Sequence, residues 1–327
     1  MESVRLIYEQ IEHARVLLLS GSLLKARLAL ILLDNAAEVI MYRELRHVFA
    51  WDSHFKNWDP AKPPELRPKY TLEERDKATK EFDPMLRVLG HRLGRLPEDQ
   101  RTVLRVCHGI RKDAFHRAEM NRNVLLPITT LLYQTVVHLS VRFRPHAFSI
   151  SPQNENAEFL ARFGLSFPEE LGTDPGLEKI RQVLSAGIAF DSPSFAATLS
   201  DDLHERIEHI INGLAYLTEL NDDREIDEKL QYQQFWRDRG AAVAAKCHAR
   251  DEAWDEPLRD AYHEWKANPG PRYTFEKLRK WQRQAGLLKN AKNPARVLER
   301  YWTLQMEFVE LEQDVLEAVA DFDMRNG

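Results

Sequence analysis

The chain has 327 residues and a formal net charge of −5, with 46 lysine and arginine residues against 51 aspartate and glutamate residues. Its hydrophobic content of 43% is ordinary for a soluble protein with a sizeable core, and the length suggests two domains or one elongated helical array. Two cysteines and 13 glycines argue against a disulfide scaffold and against a nucleotide fold built on glycine-rich turns. The sequence shows no signal peptide, and its longest apolar run, Leu28 to Leu33, is too short to cross a bilayer. We therefore expect a cytoplasmic protein without a membrane partner.

Two helices are predicted at the N-terminus, over residues 3–19 and 23–49, because apolar residues recur there at helical spacing. The second helix carries Asp34 and Glu38 four residues apart on one face, with Asn35 beside them. This acidic patch either lines a site or pairs with arginines at the surface.

A connection rich in tryptophan and proline follows over residues 51–70. Thr71 then opens a capping box, and the helix behind it is expected to reach about Gly94 with a break at Pro84. Pro97 suits the first turn of the next helix, which continues to about Met120. A last bundle helix follows, with Pro127 in its first turn and Phe143 near its end.

The helix after Pro97 carries Arg111 and His116. An arginine holds a phosphate through two donors, and a histidine moves protons near neutral pH, so the pair suits metal-free cleavage of RNA. Five steps of about 100° place the two side chains roughly 140° apart on a regular helix. They converge only if the helix is distorted, which Gly109 permits, or if a partner subunit completes the site.

The Arg111 to His116 phrase, together with the helix that contains Asp34 and Glu38, resembles the HEPN superfamily of helical bundles. Its ribonuclease members carry an Arg-x4-6-His motif near the start of their last core helix. The resemblance covers about residues 1–145. It implies a metal-independent endoribonuclease without a cofactor or a metal site, acting as a toxin or an anti-phage effector.

The resemblance also implies roles for individual residues. Arg111 binds the scissile phosphate, His116 is the acid and base, and Asp113 orients them. A second group is expected to support these three: Lys112, Glu38, Asn35 and Asp34. The implied partners are RNA, a second copy of the chain that completes a composite active site, and a neutralising or activating protein.

Two positions depart from the family pattern. Lys112 follows the arginine, where family members usually have Asn, Asp or His, and Ala118 stands where many toxin members have Tyr. Lys112 favours the alternative function, a non-catalytic adaptor that binds RNA, nucleotide or protein.

Charge is divided unevenly along the chain: the first 150 residues are net basic and the remainder is net acidic. The basic stretch 87–122 surrounds the motif, and in it Arg105 and Arg117 are candidate phosphate contacts. We predict a linker over residues 146–156 and an accessory or partner-binding domain over residues 157–327. Its helices are predicted at 154–163, 175–189, 200–220, 223–247, 251–268, 275–286 and 294–324. The predicted fold class is all-α.

A second basic segment, residues 272–300, stands out in the acidic half. Basic side chains interleaved with aromatic ones are typical of single-stranded nucleic-acid binding. The alternative is that the aromatic residues anchor a core while the charges pair with nearby acidic helices. The candidate nucleic-acid contacts in this segment are Lys277, Arg279, Lys280, Arg283 and Trp281.

Overall fold

A computed structural model describes residues 2–54, 70–117, 122–143, 155–218, 223–250, 253, 255–267 and 272–326. Across these residues the regular structure is helical and no strand is present, so the all-α prediction is confirmed. The α-helices are α1 (Glu2–Leu19), α2 (Leu23–His54), α3 (Leu72–Lys80), α4 (Phe82–Arg87), α5 (Glu98–Arg117), α6 (Arg122–Arg142), α7 (Glu155–Arg162), α8 (Asp174–Ser185), α9 (Ser192–Thr218), α10 (Asp223–Phe235), α11 (Ala241–Ala249), α12 (Asp255–Ala267), α13 (Phe275–Leu288) and α14 (Pro294–Asn326). The described residues also contain three short helical turns. Two are π-helical, at Val88–Arg92 and Trp236–Gly240, and one is a 3-10 turn at Pro168–Gly172.

The chain forms two compact units. The first contains Met1–Phe195 and Lys292–Glu299, and the second contains Ala196–Ala291 and Arg300–Gly327. The boundary predicted at residues 146–156 therefore falls inside the first unit. Residues 144–154, which include most of the predicted linker, lie outside the described residues.

Helices α1, α2 and α6 pack against one another in the first unit, and α5, α7 and α8 pack against these three. Tyr8 of α1 packs against Phe159 and Phe163, with ring centroids 6.3 Å and 5.8 Å away. The Tyr133 hydroxyl of α6 donates a 2.6 Å hydrogen bond to the carbonyl of Leu184 at the end of α8. These contacts explain why α7 and α8 belong with the N-terminal bundle, because they cover apolar surface that the bundle would otherwise leave exposed.

The capping box at Thr71 is confirmed, since its side chain accepts a hydrogen bond from the Glu74 backbone and Glu74 caps it in return. The predicted break at Pro84 is wrong. The chain turns at Glu81, which is extended, and Pro84 lies in the first turn of α4, where its missing N–H removes no helical hydrogen bond. The prediction for Pro127 is wrong too, because α6 begins at Arg122 and Pro127 lies inside it.

Helix α6 contains a stretch, Asn123–Arg142, that is long and apolar enough to cross a membrane by composition, with a mean hydropathy of 1.5. Within the structure, 67% of this stretch is buried. That burial is the pattern of a core helix in a helical bundle. The sequence predicts an apolar helix over this stretch but no membrane span, because polar residues such as Thr129 and Gln134 interrupt the apolar run.

The second unit contains most of α9 and α14 and all of α10 to α13. Phe235, Leu258 and Trp265 form one buried cluster in it. Tyr301 of α14 donates a 2.8 Å hydrogen bond to Asp202 of α9, and both side chains are buried. The start of α9 at Ser192 lies eight residues before the predicted start at residue 200.

Candidate functional site

Helices α2 and α5 pack against each other in the first unit, and their facing surfaces carry the polar side chains of the candidate site. Asp34 and Glu38 lie one turn apart on α2, as predicted, and both face α5. The Asp34 side chain is 1% exposed and that of Glu38 is 34% exposed. A buried carboxylate needs a charged or hydrogen-bonding partner, and α5 supplies two.

The first partner of Asp34 is Arg111. Its Nη1 donates a 2.7 Å hydrogen bond to Asp34 Oδ2, while 31% of the arginine side chain remains exposed. The hydrogen bond fixes one nitrogen of the guanidinium, which carries further N–H donors. Arg111 is therefore braced from inside the bundle and presented at its surface.

The second partner is His108, one helical turn before Arg111. Its Nδ1 lies 3.2 Å from Asp34 Oδ1, 3.1 Å from Asp34 Oδ2 and 3.3 Å from Glu38 Oε1. The imidazole stacks on Phe82 of α4, with ring centroids 3.9 Å apart and planes inclined by 5°. From the sequence, His108 lies near the motif without a partner at ligand spacing, which favours ordinary packing. Its acidic partners lie on another helix.

Burial and mutual repulsion define the electrostatics of the site. Burial, followed by the neighbouring Asp34 carboxylate, raises the pKa of Glu38, and the positive charges of His108, Arg111 and Lys112 oppose that rise. Cys107 lies behind the site, and burial, assisted by the Asp34 charge, raises the pKa of its thiol. The thiol therefore stays protonated at neutral pH, and Cys107 acts as a core residue rather than a nucleophile.

This arrangement holds a partly exposed cation at the surface of the bundle through a buried anion. No protein-family model, no curated protein and no solved structure matches the chain. The functional inference therefore depends on the residues themselves.

The remaining predicted residues of this site divide into three groups. The Asn35 amide donates a 3.3 Å hydrogen bond to Gln10 of α1, so it faces away from Arg111. Lys112 is exposed beside Arg111. The side chains of Asp113, His116 and Arg117 lie outside the described residues, as does Ala118.

The backbone of α5 is helical through Gly109 to Arg117, without the distortion that Gly109 would permit. Positions 111 and 116 therefore keep the divergence of about 140° expected on a regular helix. His108 and Arg111, three residues apart, share one face instead. That spacing was the local signal in the sequence that could have identified His108.

Arg105 lies on another face of α5, where it donates to Glu299 at 2.7 Å in a pair exposed to solvent. Exposed pairs of this kind are weak, so Arg105 can still exchange its partner for a phosphate.

The second predicted site, in the basic segment 272–300, needs a correction. The Trp281 side chain is 1% exposed, its indole N–H donates a 2.7 Å hydrogen bond to Glu307, and its ring packs on Phe308. A buried ring has no free face for a base, so Trp281 is a core anchor of the second unit. Tyr273 and Phe275 are buried too.

The basic side chains of α13 surround this aromatic core. Lys277 is half-buried, with its Nζ 5.3 Å from the centre of the Trp281 ring. The Arg279 Cζ atom lies 5.0 Å from the centre of the Phe275 ring. Lys280 and Arg283 are exposed. These cations can contact phosphates, but the stacking that would accompany them in single-strand binding is absent from the described residues of this helix.

Proposed function

We propose that the protein is a metal-independent endoribonuclease of the HEPN type. The observation that carries the proposal is Arg111, held by the buried Asp34 carboxylate at 2.7 Å with a third of its side chain open to solvent. Bracing of this kind lets an arginine bind a phosphate without losing as much side-chain freedom on binding.

In the proposed reaction the ribose 2′-oxygen attacks the adjacent phosphorus while the bond from phosphorus to the 5′-oxygen breaks. His116 takes the proton from the 2′-hydroxyl or supplies one to the departing 5′-oxygen. Arg111 stabilises the charge that builds on the phosphate oxygens. The products are a 2′,3′-cyclic phosphate and a free 5′-hydroxyl.

The roles of the supporting residues follow from their contacts. Asp34 holds Arg111, and Glu38 adds negative charge behind it. Lys112 and Arg105 are proposed to contact RNA phosphates from the neighbouring face of α5. Asp113 is proposed to orient His116.

The divergence of positions 111 and 116 on a regular helix supports a composite active site. In a homodimer, Arg111 of one copy can face His116 of the other, so that each copy supplies half of a catalytic pair. We place this enzyme in the cytoplasm as a toxin or anti-phage effector, where a partner protein neutralises or activates it.

The test is cleavage of cellular RNA by the purified protein in EDTA, comparing wild type with His116→Ala and Arg111→Ala. We expect both variants to lose cleavage while circular dichroism and the thermal midpoint show that they remain folded. Arg162→Ala is the matched control, because Arg162 is a surface arginine on α7 paired with Glu12 at 3.0 Å. Cleavage that persists in both motif variants would refute the proposal.

The second candidate function is a non-catalytic adaptor that binds RNA, nucleotide or protein. The observation that favours it is the exposed Lys112 next to Arg111 in α5, which adds a second cation to the exposed surface of this helix. If the protein is an adaptor, His116→Ala should bind labelled RNA with unchanged affinity in filter or anisotropy assays. Arg111→Ala should bind the same RNA more weakly. The enzyme should instead show loss of turnover in His116→Ala with binding retained.

A further inference from the structure

We infer that Asp34, Glu38 and His108 form a binding site for a divalent transition-metal ion of the Zn²⁺ class. One carboxylate oxygen from each acidic residue and one imidazole nitrogen lie within 4.8 Å of one another. The proposed ribonuclease reaction uses no metal, so the two proposals are tested separately although Asp34 and Glu38 take part in both.

The separations between donor atoms match those of ligands around a single ion. His108 Nδ1 lies 3.1 Å from Asp34 Oδ2 and 3.3 Å from Glu38 Oε1. Two ligand atoms each about 2.1 Å from one metal ion lie about 3.0 to 3.4 Å apart for angles between 90° and 109°. The third separation, between the two carboxylate oxygens, is at most 4.8 Å, and the 34% exposed Glu38 side chain has room to rotate toward the ion.

The donor set selects the class of ion. Imidazole nitrogen with carboxylate oxygen suits Zn²⁺, Co²⁺ and Mn²⁺, whereas Mg²⁺ and Ca²⁺ prefer oxygen alone and Cu⁺ prefers sulfur. Three protein ligands leave further coordination positions to water on the side where Glu38 reaches solvent. A metal ion binds an imidazole nitrogen that carries no proton, so metal binding requires His108 Nδ1 in its unprotonated form.

The surroundings already orient the ligands. Arg111 donates to Asp34 Oδ2 and so fixes the carboxylate, and the stacked Phe82 ring fixes the plane of the imidazole. Partners of this kind hold metal ligands in place in known sites. Asp34 itself is buried on α2, so one ligand has little freedom before the ion arrives.

Charge sets the strength of binding. The two carboxylates attract a cation, while Arg111 and Lys112 lie close enough to affect Glu38 and to oppose a second positive charge. We therefore expect a site that is weaker than a structural zinc site, reversible with EDTA, and dependent on His108 for its selectivity over Mg²⁺.

The experiment is isothermal titration of the full chain, freed of any polyhistidine tag, with Zn²⁺ alone, together with the absorption spectrum of its Co²⁺ complex. We expect one site in wild type that His108→Ala and Glu38→Gln each weaken at least about tenfold, since even residues behind the ligands cost 10- to 100-fold. Glu38→Gln keeps the size and partial exposure of the side chain, so it stays informative if His108→Ala proves unstable. His138→Ala, which removes an exposed histidine of α6, is the control and should leave the site intact.

Unchanged Zn²⁺ affinity in both ligand variants would overturn the inference, as would a wild-type protein that binds Mg²⁺ as tightly as Zn²⁺. Either failure leaves the proposed function untouched, because RNA cleavage is measured in EDTA and metal binding is measured without RNA.

Discussion

Arg111 and Asp34 are joined by a hydrogen bond of 2.7 Å across the α2–α5 interface, although 77 residues separate them in the chain. The pair is asymmetric, because the carboxylate is buried and the guanidinium reaches solvent. Removing Arg111 and removing Asp34 therefore lower the free energy of unfolding by different amounts. An isolated arginine at this position can be hydrated, whereas an isolated Asp34 cannot.

Arg111→Ala is expected to lower the free energy of unfolding by about 2 kcal/mol, because it removes a charged partner of a buried carboxylate that retains His108. Asp34→Asn should cost less, since the amide can still accept from Arg111. The double variant Arg111→Ala/Asp34→Asn should be more stable than Arg111→Ala alone. Urea unfolding of the three variants checks the order, and a double variant less stable than both single ones would contradict it.

A second ion pair, between Arg206 and Glu312 in the second unit, is expected to be strong. Both nitrogens of the arginine fork donate to the carboxylate, at 2.8 Å and 2.5 Å, and Arg206 lies over the Phe308 ring. Glu312→Ala should cost about 3 kcal/mol, because it leaves a largely buried arginine without its main partner. The control is Glu310→Ala. Glu310 pairs with Arg272 at an exposed position, so its loss should cost less than about 0.5 kcal/mol.

Two glycines in helices should respond oppositely to alanine. A Cβ at Gly176 would lie 1.9 Å from the backbone carbonyl oxygen of Glu170, so Gly176→Ala should destabilise the protein by 2 kcal/mol or more, on the order of an overpacked core. A Cβ at Gly286 would meet its nearest neighbour, the His204 ring, at 3.6 Å. Gly286→Ala should therefore be neutral or stabilising by up to about 1 kcal/mol. Thermal midpoints of both variants test the contrast.

The capping box of α3 offers a local prediction. Thr71→Ala removes the acceptor for the Glu74 backbone N–H and should cost about 1 kcal/mol. Thr79 lies in the last turn of the same helix, where its hydroxyl donates to carbonyls of Arg75 and Asp76. Thr79→Ala should be close to neutral, because these carbonyls belong to the preceding turn. Chemical unfolding that shows the reverse order would contradict this account of the helix start.

Features that depend on neighbouring residues were predictable from the sequence. The ends of α1, the Thr71 capping box and the shared face of Asp34 and Glu38 each follow from spacings of a few residues. Proline positions were less informative. Pro84 and Pro127 were interpreted by their usual effect on helices, but Glu81 provides the turn before α4, and α6 continues through Pro127.

The candidate site was only half predictable, because it depends on which face of α5 meets α2. The Arg-x4-His pattern drew attention to Arg111, and the acidic helix to Asp34. The spacing of His108 and Arg111 indicates a shared face of α5, but nothing local joins that face to Asp34. The partners of His108 lie 74 and 70 positions away, and Phe82 comes from a third helix. A contact across that distance depends on the packing of the whole bundle. For the same reason, the spacing alone could not show that Trp281 faces the core.

The division of the chain into units determines how the protein can be dissected genetically. The chain leaves the first unit after Phe195, returns at Lys292 and leaves again after Glu299, so no single stop codon separates the two units. A fragment that ends near residue 145 would keep Arg111 and Asp34. It would also lose Phe159 and Phe163 from the surface of Tyr8, and Glu299 from Arg105. If such a fragment lost activity, the cause could be the missing part of the first unit as much as a missing regulatory region. Point variants of the full-length chain are therefore the proper probes of this site.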